Sequence, residues 1–119
     1  MKTLKESILS RSSHSGEGFK VQRRELIEKW LKEYNIKNYT INDDFTIDVV
    51  GNVNLNKRNL VRFPEYIQFG IVKGYFDCYY THLTSLKGAP KSVGTFFSCF
   101  RCKNLEITAS DRKKYRIME

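Results

Sequence analysis

The strongest constraint on this chain is that part of it repeats. Val53, Leu55, Leu60 and Phe63 recur 23 residues later as Phe76, Cys78, Leu83 and Leu86, and Phe76 and Cys78 recur after 21 more as Phe97 and Cys99. The third unit then slips by one, because Leu105 lies six residues after Cys99 while Leu83 lies five after Cys78. Gly51, Gly74 and Gly94 precede the short alternating segments, and Pro64 and Pro90 fall on the return limbs. A unit this short cannot bury its own apolar face. Stacked units can, since the inward side chains of successive parallel strands then share one core. The repeat therefore predicts that Val53, Phe76 and Phe97 lie one above another, with Leu55, Cys78 and Cys99 beside them.

The flanks supply the remainder of a small domain. Residues 1–18 are rich in Ser and Gly, a flexible composition, with Leu4, Ile8 and Leu9 at the spacing of one amphipathic turn. Residues 19–38 read as a capping helix: Leu26, Ile27, Trp30, Leu31 and Tyr34 form one apolar face, and Asn35 and Ile36 can close its last turn. After the turn-like Asn42-Asp43-Asp44, the alternation of Phe45, Ile47 and Val49 predicts a half-buried strand. Repeat units occupy residues 39–107, and 108–119 form a basic tail. The expected class is α+β, a short parallel β-solenoid of about two and a half units behind an N-terminal capping helix.

The spacing apolar-x-apolar-x-x-(Asn-like)-x-Leu matches the strand segment of a leucine-rich repeat. The stretches YTINDDFTIDVVGNVNL, FDCYYTHLTSLKGAPKSVG and FFSCFRCKNL resemble short leucine-rich-repeat-like proteins of large bacteriophages. In those proteins a unit of the type F-x-C-x-x-N-x-L-T-S-L-x-G-A-P-K-x-V-G-G recurs many times. The opening MKTLKESILS resembles an N-terminal segment found on assorted proteins of large gut phages. Together these resemblances imply a phage origin and a non-enzymatic repeat fold. Only one unit here is complete, and Glu106-Ile107 replaces the usual continuation, which implies a truncated module.

If Phe76 and Cys78 point inward, then Tyr75, Asp77 and Tyr79 point outward, with Tyr80 just beyond. The same phase turns Phe96, Ser98, Phe100 and Arg101 outward on the next unit, and Asn52, Asn54, Asn56 and Lys57 on the previous one. Exposed aromatics in adjacent rungs form a patch that a soluble monomer seldom leaves uncovered, and Tyr, Phe and Arg dominate binding hot spots. These residues are the candidate contact surface for a protein partner, host or phage. The competing reading is that the helix or the tail folds over this face.

Charge offers an alternative partner. Lys and Arg number 21 against 13 Asp and Glu, a net charge of +8. RNA or single-stranded DNA is the second expectation, with Arg101 and the cluster Arg112, Lys113, Lys114 and Arg116 as its contacts. A second basic cluster, Lys20, Arg23 and Arg24, opens the helix. Against this stands the plain reading of a solvated basic surface, since the cations follow no single stripe.

Other chemistries find little support. Cys78 with His82, and Cys99 with Cys102, have spacings that zinc accepts, but the repeat places Cys78 and Cys99 where Leu55 stands, as small buried hydrophobes. Cys102 falls at the Asn-or-Cys position of the repeat, and His82 points outward. No nucleophile, metalloprotease or phosphate-loop motif occurs, so the expectation is no catalytic residue, no metal, no cofactor and no small-molecule substrate. No apolar run is long enough to cross a bilayer. The start lacks a secretory signal and three cysteines do not fit a disulfide framework. The cytoplasm of an infected bacterial cell is the expected location. A virion protein docked by its N-terminal segment is the alternative.

Overall fold

The structure, a computed structural model, describes residues 16–119 and side chains from residue 20 onward. The turn expected at Leu4, Ile8 and Leu9 lies outside the described residues. Helix α1 spans Gly16–Glu33, starting earlier than expected and ending before residue 38. Its end is set as the sequence anticipates. Asn35 takes a left-handed φ of 55°, while Ile36 N–H reaches Leu31 O at 2.9 Å and Asn35 N–H reaches Lys32 O at 3.1 Å. This is a Schellman closure, and Ile36 folds back into the core. Ile27, Trp30 and Leu31 are buried along the inner face of α1.

Among the described residues the chain builds an α+β fold with two helices and two four-stranded sheets. The first sheet, in the order β1-β2-β4-β6, comprises β1 (Tyr39–Ile41), β2 (Ile47–Val49), β4 (Phe69–Val72) and β6 (Ser92–Val93). The second, in the order β3-β5-β7-β8, comprises β3 (Val53–Asn54), β5 (Phe76–Asp77), β7 (Phe97–Ser98) and β8 (Ile117–Met118). Among the described residues β1 and β2 pair antiparallel and the other pairs are parallel. Each repeat thus carries two short strands, one per sheet, where the sequence pattern showed one.

In the second sheet the expected register holds. Val53 pairs with Phe76 and Phe76 with Phe97, and Val53, Leu55, Phe76, Cys78, Phe97 and Cys99 are all buried. The ladder runs past the short strands: Leu55 N–H reaches Asp77 O at 2.8 Å, Lys57 N–H reaches Tyr79 O at 2.8 Å, and Tyr80 N–H reaches Phe100 O at 2.8 Å. Two glycines allow the rungs to close up. A Cβ on Gly74 would strike the side-chain oxygen of Asn52, which accepts Tyr75 N–H at 2.9 Å, and a Cβ on Gly94 would strike Lys73 O.

Aromatic rings run through this core from end to end. Trp30 meets Phe69 at 6.2 Å between ring centroids, Phe69 meets Phe76 at 5.4 Å, Phe76 stacks on Phe97 at 5.2 Å, and Phe97 meets Tyr115 at 4.5 Å. Such pairs add to the area they bury.

Two segments depart from the sequence-based expectation. Phe45 is not a strand residue; it sits at φ 68° in the turn joining β1 to β2. There Asp44 Oδ1 accepts from both the backbone and the hydroxyl of Thr46, and the Arg23 guanidinium lies 4.3 Å from the Phe45 ring centroid. Residues 108–119, expected as a tail, form helix α2 (Ala109–Lys114) and strand β8. Thr108 and Asp111 make a reciprocal capping box at the start of α2. Tyr115 then turns into the core and donates its hydroxyl proton to Pro90 O, closing the C-terminal end of the stack.

These contacts set a contrast between two rings. Phe76→Ala removes the central ring of the stack and is expected to cost about 3–5 kcal/mol in urea unfolding. Phe100→Ala, on the outer surface, is expected to change stability by less than about 0.5 kcal/mol. Equal losses would contradict this packing.

Candidate partner-binding face

The ladder that buries one set of side chains sorts the others into columns. Asn54, Asp77, Ser98 and Met118 follow one another along the middle of the second sheet. Tyr75 and Phe96 lie on one side, where their rings stack at 5.1 Å between centroids and 14° between planes. The pairing of Phe97 with Ile117 places Arg116 next in that column. On the other side lie Asn56, Tyr79 and Phe100, then Lys57, Tyr80 and Arg101. Tyr80 is 49% exposed, Phe100 39% and Met118 41%, whereas Tyr75, Tyr79 and Phe96 are half-buried.

One expected contact residue is not available. Ser98 is buried, because its small side chain sits between Asp77 and Met118 in the column. Asn54 and Asp77 do structural work at the surface. Asn54 Oδ1 accepts Asn56 N–H at 3.0 Å and Asp77 Oδ1 accepts Tyr79 N–H at 2.9 Å, bending the chain out of each strand. The bend ends at Lys57, Tyr80 and Arg101, with left-handed φ values of 60°, 54° and 58°. That conformation costs an ordinary residue about 1–2 kcal/mol, and glycine and asparagine adopt it most readily. Here the position is filled by a lysine, a tyrosine and an arginine.

The expected basic contacts divide. Arg112 is committed to Glu119 at 2.7 Å, a hydrogen bond and charge pairing that hold its guanidinium protonated. Lys114 Nζ lies 5.3 Å from the Tyr115 ring centroid. Arg101, Lys113 and Arg116 are exposed, Arg101 and Arg116 on the strand face and Lys113 on α2. In the helix cluster Arg23 and Arg24 are engaged at the turn after β1. Arg24 donates to Ile41 O at 3.0 Å and approaches Asp43 at 3.7 Å, while Arg58 donates to Glu33 O at 2.9 Å and covers the Tyr34 ring.

Cys78 and Cys99 are buried and Cys102 is half-buried. Among the described residues no group of three or more His, Cys, Asp or Glu side chains is arranged to hold an ion. Cys102 Sγ donates to Cys78 O at 3.0 Å and touches Thr81 Oγ1 at 3.3 Å, so it ties two rungs together after the strand. Burial pushes the Cys78 thiol far up from its ordinary value and the Cys99 thiol up to about 12. His82 is exposed, as expected.

Comparison with protein-family models, curated proteins and solved structures finds no match. Among the described residues no helix is long and apolar enough to cross a membrane.

The raised thiols make stability depend on alkaline pH. An unfolded cysteine ionises near about pH 8.5. Folded Cys78 keeps its proton well above that, so over this window the unfolded chain binds fewer protons. Stability is then full below about pH 8.5 and falls as pH rises, by up to about 1.4 kcal/mol per pH unit for Cys78. Urea unfolding across pH 7–10.5 is expected to show this limb, and Cys78→Val is expected to cut its slope by about half, because the raised Cys99 contributes equally over this window. A limb unchanged in the variant would contradict the assignment.

Proposed function

We propose that this chain is a small interaction module without catalytic activity, which captures a protein partner, host or phage, through the outer face of its second sheet. On this reading the repeats form a truncated leucine-rich-repeat-like coil, capped by α1 at one end and by α2 and β8 at the other. The module would act in the cytoplasm of an infected bacterial cell.

One observation carries the proposal. The inward register turns Tyr75, Tyr79, Tyr80, Phe96 and Phe100 to one surface, on segments flanking the short strands that backbone hydrogen bonds hold rung to rung. Aromatic groups placed rigidly lose little conformational freedom on binding, and tyrosine and arginine are the types that anchor interfaces.

The test is affinity purification from infected cells with nuclease present. The unaltered chain is expected to retain a defined protein, and Tyr79→Ala with Phe100→Ala together to lose it while the circular dichroism stays unchanged. Undiminished capture by the double variant would overturn the face.

A further inference from the structure

Beside the strand face lies a depression of about 310 Å³ lined by Tyr80, Thr81, His82, Arg101, Lys103 and Asn104. We propose that this depression is a nucleoside-phosphate site, holding a base against Tyr80 and its phosphate against Arg101 and Lys103. The depression shares Tyr80 and Arg101 with the face argued above, but its test reads a nucleotide and not a protein partner.

The lining has the composition such a ligand requires. Arg101 and Lys103 are cations, His82 and Asn104 supply further donors, and no carboxylate lines the depression. Two comparable depressions on the return side each include acidic side chains, Glu106 and Asp111 in one and Glu65 in the other. Tyr80 offers an exposed aromatic surface on which a base can stack, and stacking tolerates any base. The volume lies at the small end for ligand pockets, about 300–1,000 Å³, which suits one nucleotide rather than a folded segment.

Tyr80 and Arg101 occupy equivalent positions on neighbouring rungs, and Lys57 shares their left-handed φ one rung earlier, so the repeat sets the backbone there. The identities of the side chains, an aromatic and a cation at adjacent rungs, are what give this depression its lining. A uniformly acidic peptide would use the cations but leave the aromatic surface and the amide without a role, so charge alone does not account for the lining.

The ligand has two sources, a free nucleotide or a nucleotide within a single strand, and one experiment separates them. Fluorescein-labelled hexaadenylate is titrated with the full chain by polarisation, then competed with AMP, adenosine and hexaglutamate. Saturable binding is expected, displaced by AMP far better than by adenosine or hexaglutamate. Competition by AMP at concentrations equal to unlabelled hexaadenylate assigns a free nucleotide; a tenfold or greater advantage of the hexamer assigns a strand. Tyr80→Asn and Arg101→Asn are each expected to weaken binding at least tenfold, with the urea midpoint unchanged or raised because asparagine suits the left-handed backbone. Absence of saturable binding, equal competition by hexaglutamate, or undiminished affinity in either variant would overturn the site.

Discussion

Everything in this fold depends on a short parallel ladder in which backbone N–H groups of one rung meet carbonyls of the next, from Val53 through Phe76 and Phe97 to Ile117. Two paired residues per strand would be marginal alone. They persist because the same register stacks Phe76 on Phe97 and carries that column into Trp30 at one end and Tyr115 at the other. Backbone pairing sets the spacing of the rings, and burial of the rings keeps water from the ladder. Shifting one rung by a residue would exchange Phe76 for Asp77 in the core, so register and burial enforce each other.

The outer surface follows from the inner one. Because the ladder continues to Lys57, Tyr80 and Arg101, each inward pair fixes an outward set, and the aromatics fall on one side of the sheet. The basic charge contributes less than its total suggests. Arg23, Arg24 and Arg58 fasten α1 to the turn after β1 and to the start of the repeats, and Arg112 is paired with Glu119. What remains free near an aromatic is concentrated around Tyr80, where Arg101 and Lys103 stand without a carboxylate in the lining.

The second sheet was legible in the sequence because its units alternate cleanly and repeat at nearly constant spacing. Residues such as Asn35 and Ile36 announced the end of α1 through backbone chemistry alone. The first sheet was not legible for a physical reason. In β4 the pairing shifts between Ile47 and Val49, so Phe69 and Gly70 are both buried while Ile71 is exposed, and the period of two disappears. Strand β6 has only Ser92 and Val93, and its neighbour rather than its own pattern defines it. The C-terminal segment was hidden by its charge, although Thr108 and Asp111 carry a capping-box spacing that could have revealed α2. Ser98 was placed in the right column but not at the right depth, because burial of so small a side chain is decided by Asp77 and Met118 beside it.

The most direct measurement of the central claim is a nuclear Overhauser spectrum of the uniformly labelled chain. Successive rungs should show amide and α-proton cross-peaks between Val53 and Phe76, between Phe76 and Phe97, and between Phe97 and Ile117, with ring contacts from Phe97 to Tyr115. Cross-peaks that place the Asp77 side chain, rather than the Phe76 ring, against Phe69, or no contact between these rungs, would contradict the ladder and the surface built on it.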